Sequence, residues 1–261
     1  DSCAVSDAMD RLGLQGAVSS IQEPRQLNHR VRRVERDQDP MNTNDYVARL
    51  GRMDSCAVSD AMDRLGLQGA VSSIHRMSTE QRIVGKLLTV KLDLAQGRPP
   101  SKRHLCTEAI ELAQPGDIIA IEQRTGLDAA CWGGNLTIGA KVKGVAGVIV
   151  DGPVRDVDDS RRDDFPVFAT QHTCKTARGR IVETATNEPI NICGIYVAAG
   201  DYAIADASGV VFIRAADIER VLEAAEAIWD REDLMAKDLR SGKRISEVMG
   251  TNYETMLQRK A

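Results

Sequence analysis

The sequence predicts a mixed α/β domain ending in a long helix, on three observations. Hydrophobic residues make up 43% of the 261 and charged residues 28%, the balance of an ordinary globular chain with ample core material. Aromatic residues are only 3%, so the core must be built from Val, Ile, Leu, Ala and Met, which suits closely layered helices and strands. Stretches with helical spacing alternate with short apolar runs, and the chain turns strand-rich before its final helical section.

The elements follow in order. "NTNDYVARLGRMDSCAVSDAMDRLG", beginning after Met41, predicts two helices. In the second, Val58, Ala61, Met62 and Leu65 share one face, Ser55 or Ser59 caps the start, and Gly66 closes the end in the left-handed conformation. "RIVGKLLTVKLDL" (82–94) alternates as a strand, "HLCTEAIELA" (104–113) is helical, and "PGD" turns into the strand "IIAIE" (118–122). "NLTIGAKVKG" (135–144) predicts a helix closed by Gly144, and "VAGVIV" (145–150) a buried strand followed by a turn at "DGPV". After "PINICGIYV", the strands "YAIA" and "VVFI" (210–213) are joined by the turn "DASG", and a long helix begins at about Ala216.

The 21 residues "DSCAVSDAMDRLGLQGAVSSI" occur twice without a change, at 1–21 and 54–74. Two copies with unrelated sequence between them do not make a solenoid, which needs several stacked units. The intervening "QEPRQLNHRVRRVERDQDP" is dense in charge and poor in apolar side chains, as in a solvated linker, although Leu27, Val31 and Val34 fall at helical spacing. The expected boundary is residue 40, with 1–40 an extension outside the core and 41–261 the domain.

Several function classes recede on composition. A formal charge of −4 argues against nucleic acid as the main partner, and Glu35 and Asp37 interrupt the basic run of Arg30, Arg32, Arg33 and Arg36. Apolar stretches such as "GVAGVIV" fall far short of the ~20 residues a membrane span needs, and no signal-peptide pattern opens the chain. The expectation is a cytoplasmic protein. The six cysteines show no C-x-x-C pair or nearby His at zinc spacing, so they read as buried or half-buried free thiols, with Cys131 as a candidate site-wall residue.

"CWGGNLTIGAKVKGVAGVIVDGPVRDVDD" (131–159) carries the chemistry. Gly133 and Gly134 precede a helix, so the amides of Gly134, Asn135 and Leu136 can face an anion with the positive end of the helix dipole behind them. A tight turn needing small residues would read the same way. At the other end of the unit, Arg155 and Asp156 fall on a loop beyond a strand end, where open α/β folds place ligands. Arg offers a planar fork for a carboxylate and Asp a hard oxygen for Mg²⁺ or its bound water, unless both simply pair with other surface charges.

"WGGNLTIGAKVKGVAGVIVDGPVRD" resembles the signature of the RraA-like family, which includes the regulator of ribonuclease E activity and the class II pyruvate aldolases acting on 4-hydroxy-4-methyl-2-oxoglutarate. "AVSDAMDRLG", "AQPGDIIAI" and "AAGDYAIADASGVVFI" extend the resemblance over roughly 54–250. It implies a swivelling β/β/α-type α/β domain, assembled as a homotrimer or a hexamer of two trimers, with active sites between subunits. It further implies that Arg155 holds a pyruvyl carboxylate and Asp156 a divalent metal, Mg²⁺ or Mn²⁺, partly through water, with Gly134, Asn135 and Leu136 completing the pocket.

Two positions depart from the aldolase pattern. Its acidic residue 21 positions before the Arg falls here on Gly134, with Asn135 beside it. Its acidic residue from a neighbour's C-terminal helix matches Glu232 or Asp233, ahead of Gly242. Softer candidates are His104 as an acid or base, and His172, Lys175, Arg178 and Arg180 as receivers of a substrate's distal carboxylate; Asp206 reads as structural. The leading expectation is a metal-dependent lyase releasing pyruvate from a 4-hydroxy-2-oxo acid or decarboxylating oxaloacetate. The alternatives are a non-catalytic protein-binding regulator, and a different lyase or isomerase step on a related 2-oxo acid. On this reading residues 54–74 are the native N-terminal helix, and the first copy is dispensable.

Overall fold

The computed structural model describes residues 40–250 apart from 100 and 102, all within the unit Gln38–Ala261; the first copy of the repeat and the linker lie outside the described residues. Helix α1 (Pro40–Leu50) and helix α2 (Ser55–Leu65) open the fold. Helix α2 is capped by Asp54, whose side chain accepts from the Ala57 amide, rather than by Ser55 or Ser59. Ser55 is instead turned into the protein, where both its N–H and its hydroxyl donate to Asp206 at 2.8 and 2.7 Å. Gly66 ends the helix at φ 67, the left-handed value that a residue without Cβ adopts at little cost.

Short strands β1 (Ala70–Val71) and β2 (His75–Arg76) lead into the long β3 (Ile83–Leu94). Helix α3 (Thr107–Leu112), β4 (Ile118–Gln123), α4 (Gly134–Lys143) and β5 (Gly147–Val154) follow, then α5 (Val157–Arg162) and β6 (Val167–His172). Strand β7 (Ile181–Thr186), the hairpin β8 (Ile190–Ile192) and β9 (Ile195–Val197), and β10 (Tyr202–Ala205) with β11 (Val210–Ile213) complete the sheets. The described residues end with a 3₁₀ turn at Ala215–Asp217, α6 (Ile218–Arg240) and α7 (Ile245–Val248).

The large sheet runs β1-β11-β10-β3-β4-β5-β6-β2, with β7 also on β3. Strands β3 to β6 are mutually parallel; β10, β11, β1, β2 and β7 pair antiparallel. Because β3 is long, its first half pairs with β10 (Ile83 opposite Ala205) and its second with β7 (Leu94 opposite Ile181). Period-two alternation then sorts side chains among three cores. Ile119 and Ile121 of β4 face a cluster with Trp132, Leu136 and Ala140, whereas Ile118 and Ala120 join Ala203, Ala205, Val210 and Phe212. The opposite faces of β10 and β11, Tyr202, Ile204, Val211 and Ile213, pack against α1, α2 and α6. The α/β expectation with a C-terminal helix is met, and no helix of the described residues is long and apolar enough to cross a membrane.

Three local expectations differ. "DGPV" is not a turn: β5 continues to Val154 through a register shift between Val150 and Pro153, since an irregular strand tolerates Pro and a glycine packed against Gln123. The helix expected over 104–113 is shorter, because Cys106 sits at φ 65 and starts it only at Thr107. Among the cysteines, Cys56 and Cys174 are exposed rather than buried.

Candidate active site

Four parallel strands deliver their carboxyl ends to one edge, and each of the loops that follow brings a candidate residue there. Backbone bonds join these loops. The Cys131 amide donates to the Pro153 carbonyl and the Arg155 amide to the Trp132 carbonyl, both at 3.0 Å, laying the glycine pair against the Arg-Asp pair. The Thr173 amide donates to Val154 and the Ala130 amide to Lys175, so the loop after β6 lies alongside both.

Contact distance, not a special φ, demands the two glycines. A Cβ at Gly133 would stand 2.8 Å from Asp156 Oδ2 and one at Gly134 2.8 Å from Asp159 Oδ2. Gly133 supplies no side-chain cap to α4, and Asp156 acts in its place: the Gly134 amide donates to Asp156 Oδ2 at 3.0 Å, and Arg155 Nε donates to the same oxygen at 3.2 Å. Asp156 itself is held at φ 55, ψ 40, a left-handed conformation that costs a non-glycine residue free energy and here aims its carboxylate back over the helix start. Asn135 and Leu136 share the first turn, whose amides have no acceptor within the helix.

A buried chain of polar groups fixes this corner. Trp132 Nε1 donates to Thr137 Oγ1 at 3.0 Å, and Thr137 shares a 3.1 Å bond with Ser160 Oγ, tying α4 to α5. Trp132 stacks on Phe165 with ring planes 10° apart. Cys131 lies beneath the site rather than on its wall: it is fully buried, its Sγ donates to the Pro153 carbonyl at 3.0 Å, and burial pushes its thiol far up.

The remaining candidates separate. His104 stands in the loop after β3, ahead of the helix rather than opening it, next to Leu105 and Cys106. Partial desolvation holds its imidazole below the ordinary value, helped by the charges of Arg178 and Arg155 and opposed by Glu183. Lys175 pairs with Asp128, Arg180 bonds the Thr176 carbonyl, and His172 is exposed at the end of β6. Asp206 anchors α2 and lies away from this loop cluster, on the β10–β11 turn. Glu232 and Asp233 lie on α6, where burial and then Asp60 and Asp54 raise the Glu232 carboxyl, and Asp233 pairs with Lys237. Among the described residues no three His, Cys, Asp or Glu side chains are placed to share one ion, so Glu232 and Asp233 do not join Asp156 within one chain.

Two residues were not singled out from sequence. Asp159 follows Asp156 by three positions on α5 and fills the space beside Gly134; that spacing was the available signal. Glu183 accepts from the Cys106 amide and the Thr186 hydroxyl, and only the pairing of β7 with β3 brings it there.

The fold thus brings the start of α4 and an Arg-Asp pair together at its parallel strand ends. The family model for RraA-like proteins, described as Aldolase/RraA, matches residues 55–212, and the chain belongs to that family. It is 31% identical over 186 residues to a putative 4-hydroxy-4-methyl-2-oxoglutarate aldolase of Halalkalibacterium halodurans, covering 70% of this chain and 82% of that protein. It is 28% identical over 193 residues to protein DlpA of Legionella pneumophila, covering 74% of this chain but only 31% of DlpA. A crystal structure of an uncharacterized Pseudomonas syringae protein superposes with TM-score 0.71 at 24% identity, covering 79% and 98% of the two chains, a likeness of fold.

Proposed function

We propose that the chain is a divalent-metal-dependent carbon–carbon lyase that cleaves a 4-hydroxy-2-oxo acid to pyruvate, and that it also decarboxylates oxaloacetate. The observation that carries this is the convergence of the α4 amides, the Arg155 guanidinium and the Asp156 carboxylate at the strand ends. The aldolase name borne by the Halalkalibacterium relative supports the same reading.

Arg155 binds the carboxylate next to the 2-oxo group, and the Asn135 and Leu136 amides with the α4 dipole take part of its charge. Both reactions leave the same pyruvate enolate, which is why one pocket serves both. The donor set fits a hydrated Mg²⁺ or Mn²⁺ rather than a closed protein cage: Asp156 reaches the α4 start through Oδ2 and is open to solvent, and Mg²⁺ characteristically keeps several waters beside one or two carboxylates. Asp156 would hold the ion, which when bound supplies electrophilic stabilisation of the enolate charge. Glu232 and Asp233 serve from a second copy in a homotrimer or hexamer.

Pyruvate release from oxaloacetate and from 4-hydroxy-2-oxo acids, with Mg²⁺ or Mn²⁺ and with chelator, tests the reading. Activity that survives chelation and Asp156→Ala, or activity absent throughout, would sink it. Mixing Asp156→Asn with a Glu232→Gln, Asp233→Asn double variant restores activity if the site spans two copies. Gly134, in the place of an acidic residue, favours a second reading as a non-catalytic protein-binding regulator. Tight capture of a ribonuclease without turnover supports that one.

A further inference from the structure

Trp132 grips the segment around Asp156 from both sides. Its carbonyl accepts from the Arg155 amide at 3.0 Å, and its indole N–H reaches Ser160 through Thr137. The direction of that relay is fixed. The indole can only donate, and the Asp156 carbonyl, 3.4 Å from Ser160 Oγ, can only accept, so Thr137 donates its hydroxyl to Ser160 and Ser160 donates its own to Asp156. The Ser160 amide adds a second bond to the same carbonyl at 3.1 Å. Trp132, Thr137 and Ser160 are each at most 1% exposed, so bulk water does not compete for these bonds.

Between the two grips, Asp156 departs from what its position offers. An Asp ahead of a helix ordinarily takes an extended conformation and accepts from amides of its own first turn. Asp156 precedes α5 but makes no cap bond to it; at φ 55, ψ 40 its carboxylate turns to α4 and accepts from the Gly134 amide at 3.0 Å. The left-handed conformation is intrinsically the less favourable of the two for a residue with a Cβ, so the surrounding structure must hold it. With Arg155 pinned to the Trp132 carbonyl and Ser160 to its indole through Thr137, residue 156 takes up the change of direction from β5 to α5.

We propose that Thr137 and Ser160 are positioning residues, whose hydroxyls hold Asp156 left-handed so that its carboxylate lies at the start of α4 and not at the start of α5. The catalytic consequence rests on the lyase reading, in which Asp156 works beside Arg155. The conformation itself is measurable without turnover.

The Gly134 amide proton reports it in NMR spectra of the isotope-labelled full chain, because a charge-assisted bond to a carboxylate shifts it downfield. Asp156→Ala marks its position without that bond. Ser160→Ala and Thr137→Val should move the resonance most of the way there, and Thr137→Ser, which keeps the hydroxyl, should leave it near wild type. In parallel, kcat/KM for pyruvate release from oxaloacetate in Mg²⁺ should fall roughly 10-fold or more in Ser160→Ala and Thr137→Val. Thr89→Val, which removes a buried hydroxyl bonded to the Glu188 carbonyl, should lower thermal stability but leave both the resonance and kcat/KM in place. Ser160→Ala keeps the bond from Trp132 to Thr137, so it carries the test if Thr137→Val does not fold. A resonance that Asp156→Ala or Ser160→Ala leaves unmoved overturns the assignment, as does movement in Thr137→Ser or Thr89→Val as large as in Ser160→Ala. A resonance that moves while kcat/KM of an active enzyme stays constant overturns it too. Movement as expected in a chain that turns over no 2-oxo acid sinks the lyase chemistry while the hold on Asp156 stands.

Discussion

Gly133 and Asp156 touch closely enough that a single methyl group separates stability from activity. Gly133→Ala would place its Cβ 2.8 Å from Asp156 Oδ2, the mobile end of a partly exposed side chain that can yield. Thermal unfolding should therefore show a loss of about 1 kcal/mol or less, while under the proposed lyase chemistry pyruvate release should fall steeply because the displaced carboxylate no longer sits over the helix start. Arg155→Lys keeps the charge but loses the fork, and under the same proposed chemistry should lower kcat/KM for oxaloacetate roughly 10- to 100-fold with little change in stability. That the glycine pair opens a helix and that Arg155 and Asp156 follow a strand end were legible in the sequence; that the glycines make room for Asp156 and Asp159 was not. Asp159 and Glu183 were not, because their placement depends on how α5 and β7 pack, and neither element announces itself by periodicity.

Strand β3 shows how far pattern carries an element and where packing takes over. Its alternation marked 82–94 as a strand, but nothing in that pattern tells that its two halves would pair with β10 and β7 in turn. Gly85 marks a crossing: a Cβ there would overlap the carbonyl oxygen of Gly116 in the "PGD" turn and crowd Ile118. Backbone cannot step aside as a side chain can, so Gly85→Ala should cost about 2–3 kcal/mol in urea unfolding. The continuation of β5 through "DGPV" has the same origin. Gly and Pro signal a turn locally, yet close packing of Gly152 on Gln123 and the Cys131 bonds to the Pro153 carbonyl keep this stretch in the sheet. The cap of α2 failed on competition: Ser55 is a good cap by type, but Asp54 takes that role and frees Ser55 for Asp206.

That last contact ties the first helices of the domain to the β10–β11 turn. Asp206 is 8% exposed and accepts from the Ser55 amide and hydroxyl and the Ser208 amide. Burial works against its ionisation, but these hydrogen bonds, with Arg82, outweigh it and hold the carboxyl below its ordinary value. A lowered folded-state pKa means that the stabilisation is complete above the unfolded value of about 3.9 and is lost as pH falls through the folded one. Asp206→Ala should thus cost about 2–3 kcal/mol at pH 7, with its deficit against wild type narrowing only in strong acid, as read by urea unfolding across pH. The α/β class and the C-terminal helix were legible from composition and period; this anchor was not, because Ser55 and Asp206 stand 151 positions apart.

The division of β3 between early and late partners also sets a schedule for the ribosome. Its second half can pair with β4 soon after both emerge, but Ile83 to Lys86 must wait for Ala205 to Tyr202, which leave the ribosome after every other strand except β11. Until then the nascent chain carries an open strand edge and the uncovered apolar face of Ile118, Ala120 and Ile149, the condition in which chains in a crowded cell pair wrongly with each other. Slowing translation between β7 and β10 should therefore lower soluble yield, and a chaperone that shields strand edges should restore it.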